Sequence, residues 1–86
     1  MARGDYSAIA IEQLDSLEAR PDAALYEAVL MTCEMIFRSA AAAQRRSSAI
    51  TTASGIRFRL SVAGHHPYKV FWDPRGPRIV AVFPHP

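Results

Sequence analysis

The chain is read as an α+β domain: two N-terminal helices packed on a small, mainly antiparallel sheet, in the order β-α-α-β-β-β. Three observations predict it. Apolar residues between positions 11 and 38 recur at helical spacing, whereas the run from Gly55 to Pro84 breaks into three short stretches of strand character. The helical segments also precede the strands instead of alternating with them, which points away from a parallel α/β sheet. Eighty-six residues make one domain over 1–86, with room for a single core.

The opening segment, Tyr6 to Ile11, fits two readings. Ser7, Ile9 and Ile11 line one face of a strand, or the segment begins a helix. Ile11, Leu14 and Leu17 then follow helical spacing with acids among them, so Glu12 to Ala19 reads as a short amphipathic helix. Pro21 ends that helix or opens the next.

The second helix is the clearest element. Asp22 is placed to cap it, Leu25, Val29, Cys33 and Ile36 form one apolar stripe, and Arg38 suits its last turn. Alanines 40 to 43 extend it toward Arg45-Arg46. Ser47 to Ser54, rich in small hydroxylated residues, reads as a loop with a brief extended piece at Ile50 to Thr52.

Ile56-Arg57-Phe58-Arg59-Leu60-Ser61-Val62 alternates strictly between apolar and polar, the signature of a half-buried strand. Tyr68-Lys69-Val70-Phe71-Trp72 and Arg78-Ile79-Val80-Ala81-Val82-Phe83 are the next two. Gly64-His65-His66-Pro67 separates the first pair. Asp73-Pro74-Arg75-Gly76 has the residue preferences of a type I turn between the second and third. Both connections are short enough for an antiparallel meander.

Charge is divided along the chain. Residues 1–43 hold three arginines against seven acids, a net −4, and residues 44–86 hold seven cations against Asp73 alone, a net +6. Nine of the ten cations are arginine, whose planar fork suits phosphate, so the C-terminal half is fitted to a polyanion or an acidic protein partner. No apolar run approaches the ~20 residues of a membrane span. Met1-Ala2-Arg3-Gly4-Asp5 lacks the apolar stretch of a secretory leader, and a cytoplasmic location is expected. Cys33 is the single cysteine, which excludes an internal disulfide and a cysteine-built zinc site. No metal or cofactor is expected, because the adjacent His65 and His66 do not chelate one ion in the usual geometry and read as turn residues. Trp72, Met31, Met35 and Phe37 read as core or partner-facing residues, and Cys33 as a small buried hydrophobe.

Strand alternation turns composition into a surface. With Ile56, Phe58, Leu60 and Val62 turned inward, Arg57 and Arg59 project together from the other face, about 7 Å apart. Lys69 and Phe71 join that face if Tyr68, Val70 and Trp72 face the helices, and Val80 and Val82 are further candidates for it. A surface of mixed cations and aromatics holds phosphate and stacks a base.

At this level the chain resembles the RelE/ParE superfamily of bacterial toxins from toxin–antitoxin pairs, its YoeB- and RelE-like branch more than its ParE-like one. The likeness covers nearly the whole length. It rests on the element order, on Gly55-Ile56-Arg57-Phe58-Arg59-Leu60, on Tyr68-Lys69-Val70-Phe71-Trp72, and on Arg78-Ile79-Val80-Ala81-Val82-Phe83 followed by a histidine. The resemblance implies a metal-independent endoribonuclease that cuts messenger RNA on the ribosome. Arg57, Arg59 and Lys69 would then surround the scissile phosphate and His85 would move protons. By charge and aromatic character alone, Arg45, Arg46, Arg78 and Phe71 are RNA-binding candidates, and Arg45-Arg46 equally suits a helix C-terminus, opposing its macrodipole. The resemblance also implies a cognate antitoxin as partner, and operator DNA reached through the antitoxin complex. The ParE-like alternative is a non-enzymatic inhibitor of DNA gyrase, and a third reading is an inactive homologue that acts only as a binding module. The chain departs from the family pattern in ending Pro84-His85-Pro86, without an aromatic hydroxyl. It also has Tyr68 where an arginine falls early in the family's third strand.

Overall fold

A computed structural model of the chain describes residues 5–86. Met1 to Gly4, part of the segment read as lacking a leader, lie outside the described residues. The fold is α+β: α1 (Ala8–Glu18), α2 (Ala23–Arg38) and α3 (Ala40–Arg46) precede β1 (Ser48–Thr52), β2 (Gly55–Ser61), β3 (Tyr68–Asp73) and β4 (Arg78–Pro84). The four strands form an antiparallel meander in the order β1-β2-β3-β4.

The two readings of Tyr6 to Ile11 divide between its residues. Tyr6 makes a single parallel bridge to Ile79, and helix begins two residues later. Ser7 is the pivot: its hydroxyl accepts the Ala10 N–H at 3.0 Å and donates to the Val80 carbonyl, so it caps α1 and ties it to β4 at once. The first helix therefore starts four residues before Glu12, and Ile9 on it is exposed.

In α2 the Asp22 carboxylate accepts the Leu25 N–H at 3.1 Å, and Leu25, Val29, Cys33 and Ile36 are all buried, as their spacing predicts. The alanine run does not prolong this helix. Ser39 leaves helical geometry (φ −150°, ψ 82°), and the alanines form the separate α3, which buries Ala43. The helices lie on one face of the sheet, where their buried residues meet Leu60, Val62, Val70, Trp72, Ile79 and Val82 in one core.

Three expectations about the strands are corrected. Residues 48–52 are a full strand rather than a loop, because β-branched Ile50, Thr51 and Thr52 suit a pleated edge and β2 supplies a partner along their whole length. Ile56 is 56 % exposed, lying at the end of the sheet that the helices do not cover. Val82 faces the core. An irregularity in the β3–β4 register beside Phe71 and Trp72 sets both Ile79 and Val82 on the inner face, where strict alternation would have separated them.

The β3–β4 turn is tighter than a type I turn. Gly76 N–H donates to the Pro74 carbonyl at 3.1 Å, while the Asp73 side chain, not its carbonyl, takes the Arg75 N–H at 2.8 Å. Gly76 has φ 153°, a conformation that disfavours any side chain. His65 and His66 sit in the β2–β3 turn, where His65 N–H bonds the Val62 carbonyl. Among the described residues no helix is long and apolar enough to cross a membrane.

Candidate nucleic-acid interface

The face of the sheet away from the helices carries most of the residues singled out by alternation. Register places Arg59 opposite Phe71 and Ser61 opposite Lys69, so Arg57, Arg59, Lys69 and Phe71 share that face. Across β3–β4, Lys69 pairs with Phe83 and Phe71 with Ala81, which adds Phe83 to the same surface.

At its centre Phe71 and Phe83 stack with ring centroids 4.5 Å apart and planes 9° from parallel. The His85 imidazole stands edge-on to both, 5.4 Å from Phe71 and 6.0 Å from Phe83. Arg59 Nη1 reaches His85 Nδ1 at 3.1 Å. A guanidinium has donors only, so Nδ1 accepts and the ring carries its proton on Nε2. The tail does not fray at this point: His85 N–H donates to the Pro67 carbonyl at 2.9 Å, and Lys69 Nζ approaches the same carbonyl at 3.4 Å. Arg59, Lys69 and His85 thus converge at one end of the face.

The other end is dominated by an acid. Arg57 Nη1 lies 3.3 Å from Asp73 Oδ2, and Arg75 engages both carboxylate oxygens at 3.0 and 3.2 Å. The Arg75 hydrogen bonds hold the Asp73 carboxyl below the usual carboxylate range; burial opposes them, and the Arg57 charge adds to the lowering. Arg57 is accordingly in position but not free, its charge already committed to a carboxylate only 8 % exposed.

Between these ends lies an open concavity of about 390 Å³, floored by Phe71, Val80, Ala81 and Phe83 and rimmed by Thr52, Ser54, Arg57 and His85. Phe71 is 6 % exposed with one ring face against Phe83, so it supports the surface rather than offering a platform; Phe83, half-buried, is the more open ring. Arg78 is exposed at the start of β4, opposite Asp73 in register. Arg45 and Arg46 are not brought into this cluster. They end α3, and Arg46 lines a separate groove with Met31, Met35, Arg38 and Leu60 between α2 and β2, its Nη1 3.8 Å from Met35 Sδ.

Two residues of the interface escaped sequence reasoning. Phe83 was hidden by the register irregularity, which makes its outward direction unreadable from alternation. Asp73 was read as a turn residue; that it is the sole acid of the C-terminal half was the signal available. Comparison with protein-family models, curated proteins and solved structures finds no match to this chain.

Proposed function

We propose that the chain is the toxin of a toxin–antitoxin pair, of the RelE/ParE kind, and that it cuts messenger RNA on the ribosome without a metal. The observation that carries this reading is the contact of Arg59 with His85 beside Lys69, set over the Phe71–Phe83 stack. Two cations and an imidazole within one cluster are the groups that metal-free cleavage of a phosphodiester requires.

Substrate completes the machinery in this scheme. A phosphate oxygen draws the Arg59 guanidinium away from Nδ1, which frees that nitrogen to take the proton of the attacking 2′-hydroxyl. The imidazolium then returns a proton from Nε2 to the departing 5′-oxygen, so the ring ends neutral and a cyclic phosphate remains. Lys69 offsets the charge that grows on the phosphate, and Phe83 packs against a neighbouring base. The site of action is the cytoplasm, and the acidic antitoxin is the partner that the basic half of the chain would receive.

The pairing of Arg57 with Asp73 favours a second reading, in which the surface contacts protein and inhibits DNA gyrase without chemistry or serves only as a binding module. Expression without a partner separates them. Arrested translation with cleavage of ribosome-bound mRNA supports the nuclease. Supercoiling defects with translation intact support the gyrase inhibitor, and no growth effect supports the inactive module. Wild-type protein that leaves ribosome-bound mRNA whole overturns the enzymatic reading.

A further inference from the structure

The two edges of the sheet are treated differently. On β4 the outward backbone groups of Ile79, Val80 and Val82 are held by the N-terminal region. Ser7 N–H donates to the Ile79 carbonyl at 2.9 Å, the Ser7 hydroxyl donates to the Val80 carbonyl, and the Gln13 side chain accepts the Val82 N–H. That edge is closed to another strand.

Among the described residues the β1 edge has no such cover. The bond from Val62 N–H to the Tyr68 carbonyl fixes the phase of the ladder: even-numbered residues of β2 address β3, and Arg57 and Arg59 address β1. Arg59 therefore exchanges bonds with Ser48 and Arg57 with Ile50. The N–H and C=O groups of Ala49 and Thr51 point outward, and no described residue bonds them. Nor does the strand carry the usual deterrents. Ser48-Ala49-Ile50-Thr51-Thr52 contains no charge and no proline, and all but Ile50 is exposed.

We infer that β1 pairs antiparallel with β1 of a second copy, about a two-fold axis at Ile50, joining two four-stranded sheets into one. The register follows from the phase. Ala49 of each copy meets Thr51 of the other through about four backbone hydrogen bonds, and the two Ile50 side chains face each other across the close, non-hydrogen-bonded pair.

Charge selects a copy over an acidic partner. The strand itself offers an acidic partner no cation, and of the two arginines opposite it in β2, Arg57 is held by Asp73 and Arg59 is turned to His85. The Arg45-Arg46 end of each strand falls toward the uncharged Ala53-Ser54-Gly55 of the other copy, so no like charges meet. Because Ile50 and Thr52 also border the concavity beside Arg57 and His85, the pairing sets two such concavities side by side on one face. The inference stands whether or not the surface is a nuclease.

Sedimentation equilibrium of the full chain, from micromolar to millimolar concentration, tests it. The wild type is expected to associate reversibly to dimer. Ala49→Pro removes an outward N–H that β2 does not use, and should weaken the dimer at least about tenfold while the fold persists. Ile50→Lys and Ile50→Glu should each be monomeric alone and form a mixed dimer together, a rescue that unfolding cannot mimic. A wild type that stays monomeric throughout, or a dimer unmoved by Ala49→Pro and by both Ile50 changes, overturns the inference.

Discussion

Arg59 Nη1 lies 3.1 Å from His85 Nδ1, across 26 residues of sequence. The contact settles which ring nitrogen is engaged, because the guanidinium only donates. It also couples cation and imidazole: whatever draws Arg59 away changes what His85 can accept. That coupling is the basis of the proposed cleavage and of its sharpest test.

His85→Asn places an amide oxygen where Nδ1 was, and so keeps an acceptor for Arg59 while removing Nε2. If the chain is a nuclease, this variant should bind RNA much as the wild type does but cut about 10²–10⁴-fold more slowly. Single-turnover cleavage and filter binding measured side by side check it. Full cutting by His85→Asn would remove the histidine from the mechanism.

Asp73→Asn should release Arg57 and Arg75 toward solvent anions. Binding to single-stranded RNA should tighten, and its dependence on salt should steepen by up to about 0.7 for each arginine that gains a phosphate. Unchanged binding would show that the two arginines are held by more than the Asp73 charge.

The same carboxylate makes stability depend on acid. Its folded pKa is lowered, so its contribution is present above the unfolded value of about 3.9 and is lost as pH falls through the lower folded value. Chemical denaturation below about pH 4 should show wild type losing more of its stability than Asp73→Asn loses.

Ser47→Ala should cost about 1–3 kcal/mol, because it strands the indole N–H of fully buried Trp72, now bonded to Ser47 Oγ at 3.1 Å. The Ser47 hydroxyl also donates to the Ala43 carbonyl at 2.8 Å, linking the end of α3 to the core. Denaturant unfolding followed by tryptophan fluorescence measures the loss.

Burial pushes the Cys33 thiol up to about 12, against an opposing hydrogen bond with Tyr6. Native protein at pH 8 should resist thiol reagents until it unfolds. Stability should also fall as pH rises above the unfolded thiol value of about 8.5, since only the unfolded chain then gives up the proton readily. A Cys33→Ser variant would lack that alkaline slope.

The parts of the interface that were legible in the sequence are those fixed by local periodicity. Arg57, Arg59, Lys69 and Phe71 share a face because strand side chains alternate, and the stripe on α2 is buried because helical spacing makes it continuous. Phe83 was illegible because one irregularity beside Phe71 and Trp72 shifts the phase of β4. β1 was illegible because small hydroxylated residues suit a loop as well as an edge strand until a partner is in place.

Sequence alone determined the α+β class, the buried stripe, the cationic face and the opposition between an acidic and a basic half, all of which depend on residue type and short-range spacing. Tertiary structure decided what those cations face. It set Asp73 against Arg57, laid His85 against Arg59, closed the β4 edge with Ser7 and Gln13 and left the β1 edge open. These are contacts between residues far apart in the chain, created by strand register and helix docking, and no local pattern encodes them.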